Sequence, residues 1–386
     1  MHTRNCFTVT SFLVLACLRL GAQNNQTAFT NAVHVELSQS TLDRIESISA
    51  AEFARHPVAG VTVGVVSPAA LAWTKSYGFA DIEKKIPASR ATVYRIGTIT
   101  KQFTALMLLQ LVERGKVHLS DPVEKYFPEI NRIAGEYPNA APITLLQLAM
   151  HTSGICRDID DAQTYLRAPV ADWEKSVVAA VPHAKYAAEP GTKFVYSSFG
   201  YAVLGVALSR AAGQSYADYV KKNIFEPLGM RHTSFELIPA IQATLATGYV
   251  VKDGRPDSRK SVEELAGRGY KLADDAIFTT IDDLAKFMSF EMMGGPESVL
   301  TTKMLKDNFS HGYFLFSNFA GGVGVGFQLG RFSDLIIAGH GSGGVTGYRA
   351  EAYFRPDAPI GIISLRNVED GFQLNYVLDC LRGLVH

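Results

Sequence analysis

Thr98-Ile99-Thr100-Lys101 places a hydroxyl and an amine three residues apart at the head of an apolar run that continues to Val112. On a helix, positions i and i+3 are neighbours, with Cβ atoms about 5–6 Å apart. A lysine in a first turn works against the helix dipole, which presents positive charge there. That field, combined with burial, predicts a depressed ammonium pKa and an amine able to act as a general base. A hydroxyl beside such an amine is an arrangement for nucleophilic catalysis. A plainer use exists for both residues, with Thr98 capping the helix and Lys101 stretching its stem out to solvent. Further along, Tyr196 lies just ahead of a second apolar helical pattern, and Gly341, Gly343, Gly344 and Gly347 follow His340. Such a glycine run lets a backbone approach a ligand closely, or it forms a tight turn. The ten histidines show no metal-ligand spacing such as HExxH, so no metal or other cofactor is expected.

Five stretches carry a family resemblance when taken together: RIGTITKQFTA, LLQLAMHTSGI, FVYSSFGYAVLG, IFEPLGMRHT and GHGSGGVTGYRA. In order and spacing they resemble the serine β-lactamase and penicillin-binding-protein superfamily, in its class C-like branch of esterases, D-aminopeptidases and DD-peptidases. The likeness runs from about Val35 to Leu384. It implies a nucleophile and lysine opening a central helix, a tyrosine loop sharing the proton transfers, and a strand that lines the cleft and helps to hold an oxyanion. By position, Thr98 takes the nucleophile place, Lys101 the lysine and Tyr196 the tyrosine, while Ser198 stands where asparagine is usual. The third motif falls at His340, Gly341, Ser342 and Gly343, which share the assignment because the run is one residue longer than usual. Threonine in place of serine adds a methyl that restricts χ1 and crowds the line of attack. Serine in place of asparagine shortens a substrate contact. Two readings therefore stand side by side. One is a hydrolase of esters, amides or D-amino-acid peptides working through an acyl-enzyme; the other is an impaired relic that binds a peptide or protein.

Elements that could position these residues are legible from patterning. Leu37, Leu42, Ile45, Ile48 and Phe53 recur as on an amphipathic helix, followed by strands at Val61–Val66 and Leu71–Tyr77 joined by a Ser-Pro turn. The middle is mainly helical, with Ile99–Arg114 stopped at Gly115 and Phe199–Ala212 stopped at Gly213. Alternating runs then predict strands at Tyr313–Phe316, Gly322–Leu329, Leu335–Ala338, Tyr348–Phe354 and Ile360–Leu365, with a closing helix over Gly371–Leu384. The fold class expected is α+β: an antiparallel sheet flanked by N- and C-terminal helices, with an inserted mainly helical region, in the β-lactamase/transpeptidase manner. One domain over residues 35–386 is expected, its sheet region from 35–97 and 311–386 and its helical region from 98–310.

The chain of 386 residues balances 37 basic against 37 acidic side chains, which argues against a nucleic-acid partner. Near the N-terminus, CFTVTSFLVLACL follows Arg4 and precedes small residues. It is shorter than the roughly 20 apolar residues a membrane span needs, and reads as a signal peptide over residues 1–22. Export to the periplasm or the medium is the expectation. Cys156 and Cys380 then remain in the mature chain, and sequence leaves open whether they pair. The expected partner is a small-molecule or peptide substrate, with no membrane span; oligomeric state is not legible.

Overall fold

The computed structural model describes residues 37–384 apart from 56–58, 134, 136, 138, 264, 266, 312–313, 316–320, 333–334, 342–344 and 370–373. The segment read as a signal peptide, together with Ser342 and Gly343, lies outside these residues.

Strand β1 (Gly60–Val66) is GVTVGVV and is buried along its whole length. Val61, Val63 and Val65 join Ile337, Ile362, Tyr376 and Leu381 in one apolar cluster, whereas Val66 belongs to a second cluster on the other side with Ala350, Ile363 and Leu365. Side chains that alternate between two buried faces explain why β1 is apolar at all but Thr62. Around β1 the sheet grows from β2 (Leu71–Asp81) and β3 (Ile86–Pro87), and from β6 (Phe314–Leu315), β7 (Gly321–Val323), β8 (Gln328–Phe332), β9 (Leu335–Gly341), β10 (Arg349–Arg355) and β11 (Ile360–Arg366). All pairings are antiparallel, in the order β3-β2-β1-β11-β10-β9-β8-β7-β6. Early and late strands meet where Val63 pairs Ser364 and Gly64 pairs Ile363.

One face carries α1 (Gln39–Arg55) and a closing helix, α5 (Leu374–Gly383), which are tied together by a 2.6 Å hydrogen bond between Ser49 Oγ and the Tyr376 hydroxyl. The other face packs on the helical region, whose centre is α2 (Thr100–Glu113), buried continuously from Thr100 to Leu111. Two short strands outside the main sheet, β4 (Tyr94–Arg95) and β5 (Phe278–Thr279), pair with each other, and Ile96 N–H donates to Ile277 O at 3.1 Å. This ladder sets the lead-in of α2 beside α4 (Leu272–Asp275), which in turn packs against α3 (Ser198–Ala212). Cys156 and Cys380 are both free thiols.

Two expectations need revision. The strand read over 322–329 is two strands, because the chain turns at Gly324–Phe327, where Gly324 N–H bonds to Phe327 O at 3.0 Å and Gly326 takes φ +84°. That turn rests on α2: a Cβ at Gly326 would lie 2.3 Å from Ala105 Cβ. The helix beginning at Ile99 is preceded by a 3-10 turn over Gly97–Ile99, so the α-helix proper starts at Thr100. The closing helix is described over Leu374–Gly383, and residues 371–373 of its expected range lie outside the described ones.

The contact between α3 and α4 depends on a missing side chain. A Cβ on Gly205 would sit 2.5 Å from Ala273 Cβ and 3.3 Å from the Trp173 ring. Alanine is favoured over glycine inside a helix by about 1 kcal/mol, but overpacking a tight core costs about 1–3 kcal/mol. Gly205→Ala is therefore expected to lower the urea unfolding free energy, and a stabilised variant would contradict this packing.

Candidate active site

Thr98 lies in the 3-10 turn ahead of α2, just after Gly97 at φ +52°. It caps nothing. Its Oγ1 donates instead to the Gly341 carbonyl of β9 at 3.2 Å, spanning the gap between the helical region and the sheet. The same carbonyl is 2.9 Å from His340 Nδ1. A Cβ at Gly341 would meet the Tyr353 hydroxyl at 2.7 Å, so a larger residue there would have to displace that ring. Lys101 is 0% exposed, so it does not reach solvent.

The first turns of α2 are zipped to residues 273–277. Thr104 Oγ1 donates to Ala273 O at 2.7 Å, Lys101 Nζ bonds Asp274, and Thr100 Oγ1 accepts from Ile277 N–H at 3.3 Å. Asp274 is the residue that sequence reading missed. Its neighbour Asp275 has a separate cation, with Arg268 Nε donating to Oδ1 at 2.8 Å. Two adjacent aspartates in an otherwise apolar segment were the available signal, because buried carboxylates need partners.

This pairing corrects the expected lysine chemistry. Burial alone would drive the proton off Lys101, but the Asp274 carboxylate outweighs it, with Tyr196 adding to the effect, and holds the ammonium above the ordinary lysine range. At Asp274 burial pushes the carboxyl up while Lys101 and Lys271 oppose it. A contact this direct is read as ammonium facing carboxylate. Around the ammonium are aromatic faces, the Tyr196 ring centroid at 4.9 Å and that of Tyr201 at 5.4 Å. Both nearby histidines are held neutral. His340 is lowered to about 3 by burial and by the charge on Lys101, and His151 falls well below its ordinary value through burial, Lys101 and His340.

Tyr196 sits on the loop entering α3, and the residues after it pin that loop. Ser197 caps α3 by accepting from Gly200 N–H at 2.8 Å, and its hydroxyl donates to Cys156 O at 2.8 Å. Ser197 N–H donates to His151 Nδ1 at 3.0 Å, and Ser198 N–H donates to Arg157 O at 2.8 Å. The His151 ring lies 4.3 Å from the Tyr196 ring and the Arg157 guanidinium 5.5 Å from it. His151 thus buttresses Tyr196. The run Arg157–Asp161 packs on the site: Asp158 Oδ1 accepts from Lys271 Nζ at 2.8 Å and from the Tyr270 hydroxyl at 3.1 Å. Thr98, Lys101, Tyr196, His340 and Gly341 therefore come together, and Ser198 is buried at the start of α3 beside them. Among the described residues no three His, Cys, Asp or Glu side chains gather as metal ligands would, and no helix is long and apolar enough to cross a membrane.

The antiparallel sheet, the inserted helices and this grouping at the head of α2 define a β-lactamase/transpeptidase-like fold of the serine-hydrolase kind. The chain belongs to the Beta-lactamase family, whose sequence profile matches residues 45–376. "Protein flp" of Staphylococcus aureus strain MW2 is 28% identical over 258 residues, which cover 66% of this chain and 50% of that protein. "Beta-lactamase-like protein 2" of Dictyostelium discoideum is 27% identical over 319 residues, 79% of this chain and 56% of the relative. The chain thus spans about half the length of these curated relatives. Among solved structures, the octameric penicillin-binding protein homologue from Pyrococcus abyssi superposes with a TM-score of 0.72 at 26% identity, covering 87% of this chain and 75% of that one.

Neutral buried histidines make stability pH-dependent. The unfolded chain binds protons at histidine below about 6.5, and folded His340 does not until about 3, so stability is lost as pH falls between those values. One such histidine accounts for about 2 kcal/mol between pH 7 and pH 5. Glu291, whose desolvated carboxyl is pushed up to about 8, acts in the opposite direction over this window. The readout is therefore a variant comparison by urea unfolding. His340→Gln is expected to shrink the acid loss by about 2 kcal/mol, and an unchanged loss would mean that His340 titrates normally.

Proposed function

We propose that this protein is an exported acyl-transfer hydrolase in which Thr98 Oγ1 attacks the carbonyl of an ester or amide, D-amino-acid peptides among them. The observation that carries the reading is the convergence of Thr98, Lys101 and Tyr196 at the head of one buried helix, with Thr98 bonded to the strand on which the family's third motif begins. Lys101 supplies positive charge, Tyr196 moves protons, and Ser198 with the His340 strand bounds the substrate. In this reading the backbone amide of Thr98 and one from that strand hold the tetrahedral oxygen, the term that usually contributes most to acyl transfer. Water releases the acyl group, and neither metal nor cofactor takes part. Export follows from the apolar N-terminal segment, and cleavage near Ala22 yields the mature form.

A second reading has support of its own. Thr98 Oγ1 is engaged by Gly341 O and Lys101 by Asp274, as a site retired to peptide or protein binding would allow. A fluorophosphonate or penicillin probe read by intact mass separates the two. The hydrolase is expected to gain one adduct, absent in Thr98→Val and formed about 10–100-fold faster in Thr98→Ser, because misplacing a reacting atom by about 1 Å costs about a hundredfold. No adduct on either the natural chain or Thr98→Ser would leave the binding module.

A further inference from the structure

We propose that Asp274 is the positioning residue of this site: it holds Lys101 as a fixed cation, so that the proton leaving Thr98 travels through Tyr196 alone. The inference rests on the acyl-transfer reading and gives a role to a residue that the family motifs do not include. Lys101 and Asp274 are 0% and 1% exposed and directly paired. Asp274 commits one oxygen to Lys101, and its Oδ2, fully enclosed, has no hydrogen-bond partner among the described residues. The carboxylate cannot swing away, because α4 is fastened to α2 at Ala273 and, just beyond its end, at Ile277. Its bonded cation is its own, since Asp275 is engaged by Arg268 at 2.8 Å.

The groups facing the ammonium come from every element around it: Asp274 of α4, Tyr196 ahead of α3, Tyr201 of α3, His151 of the loop after Leu145–Ala149, and His340 of β9. Asp275 and Lys271 lie one layer further out, where they act on Asp274. Of the groups in contact, Asp274 alone is a carboxylate. An ammonium has no lone pair and cannot accept the Thr98 proton. The balanced step is therefore a relay. Thr98 Oγ1 bonds to the carbonyl carbon and the C=O π pair moves onto oxygen, while the hydroxyl proton passes to the Tyr196 oxygen and the phenol's own proton moves on to the leaving atom. The C=O bond then re-forms as the bond to that protonated atom breaks. Water repeats the sequence with the acyl group, returning a proton to Thr98. Lys101 keeps its three protons throughout and stabilises negative charge on the phenolic oxygen in a site shielded from solvent.

The test uses the full chain labelled with 13C,15N-lysine, and follows the Lys101 Cε and Nζ resonances, assigned with Lys101→Arg, from pH 6 to pH 10.5. Lys101 is expected not to titrate in the natural protein, and in Asp274→Asn to titrate at least about two pH units lower, since a buried lysine without a counter-ion loses its proton readily. Titration of the natural lysine anywhere within that range, or the same lack of titration in Asp274→Asn, would overturn the proposal. Should Asp274→Asn fail to fold, the natural protein's titration decides alone. The probe-labelling rate supplies the functional arm. In Asp274→Asn it is expected to fall about tenfold or more as pH rises and Lys101 deprotonates, whereas a rate that climbs with pH would make neutral Lys101 the base and refute the relay. The lysine titration needs no turnover, so a protein that takes no probe yet shows a locked Lys101 removes the hydrolase reading and leaves the pairing in place.

Discussion

A lysine with no exposed surface needs a counter-charge, and the arrangement around Lys101 follows from that constraint. Stranding one member of a buried ion pair costs about 3–5 kcal/mol, so α2 and α4 have to stay in register for the fold to persist. Thr100, Lys101 and Thr104 meet that need with successive contacts to Ile277, Asp274 and Ala273. The same register fixes the first turn of α2, and with it the direction in which Thr98 presents its hydroxyl. Stability and the geometry of the candidate site are thus two aspects of one contact.

The sheet supplies the opposite wall of the site. Because β1 and β11 are buried on both faces, β10 and β9 are laid down next to them in a fixed register, with Gly341 opposite Glu351. A one-residue slip would turn every buried side chain to the wrong face. The Gly341 carbonyl is held in reach of both Thr98 and His340 by this register, not by any local device. Terminal helices α1 and α5 cover the far face and stay clear of the site, which explains how the ends of the chain complete the sheet without taking part in the chemistry.

Much of this was legible in the residues themselves. Apolar alternation and turn residues located most strands and both terminal helices, and the motif order placed Thr98, Lys101, Tyr196 and His340 in one cleft. Glycine was misleading within 322–329, where a pattern that reads as one strand conceals a turn shaped by its fit against Ala105. The larger omission was Asp274. It lies 173 residues from Lys101, and helical spacing has no means of reporting a partner so remote. The lysine pKa was consequently read in the wrong direction, since burial and the helix dipole were visible in sequence and the anion was not. The contacts of Arg157 and Asp158 with Tyr196 and Lys271 were equally out of reach of the sequence, because they arise only from the tertiary fold.

Thr98 concentrates the functional question. Its methyl group narrows the approach to the carbonyl, yet its hydroxyl occupies the gap between helix and strand beside a cation that the fold maintains. Quenched-flow mass spectrometry with a chromogenic ester addresses this most directly, by mapping any transient acyl group to a peptide. An acyl adduct on Thr98 is expected to form before steady state and to decay on chase with water alone. Turnover without an adduct, or an adduct on a different residue, would contradict it.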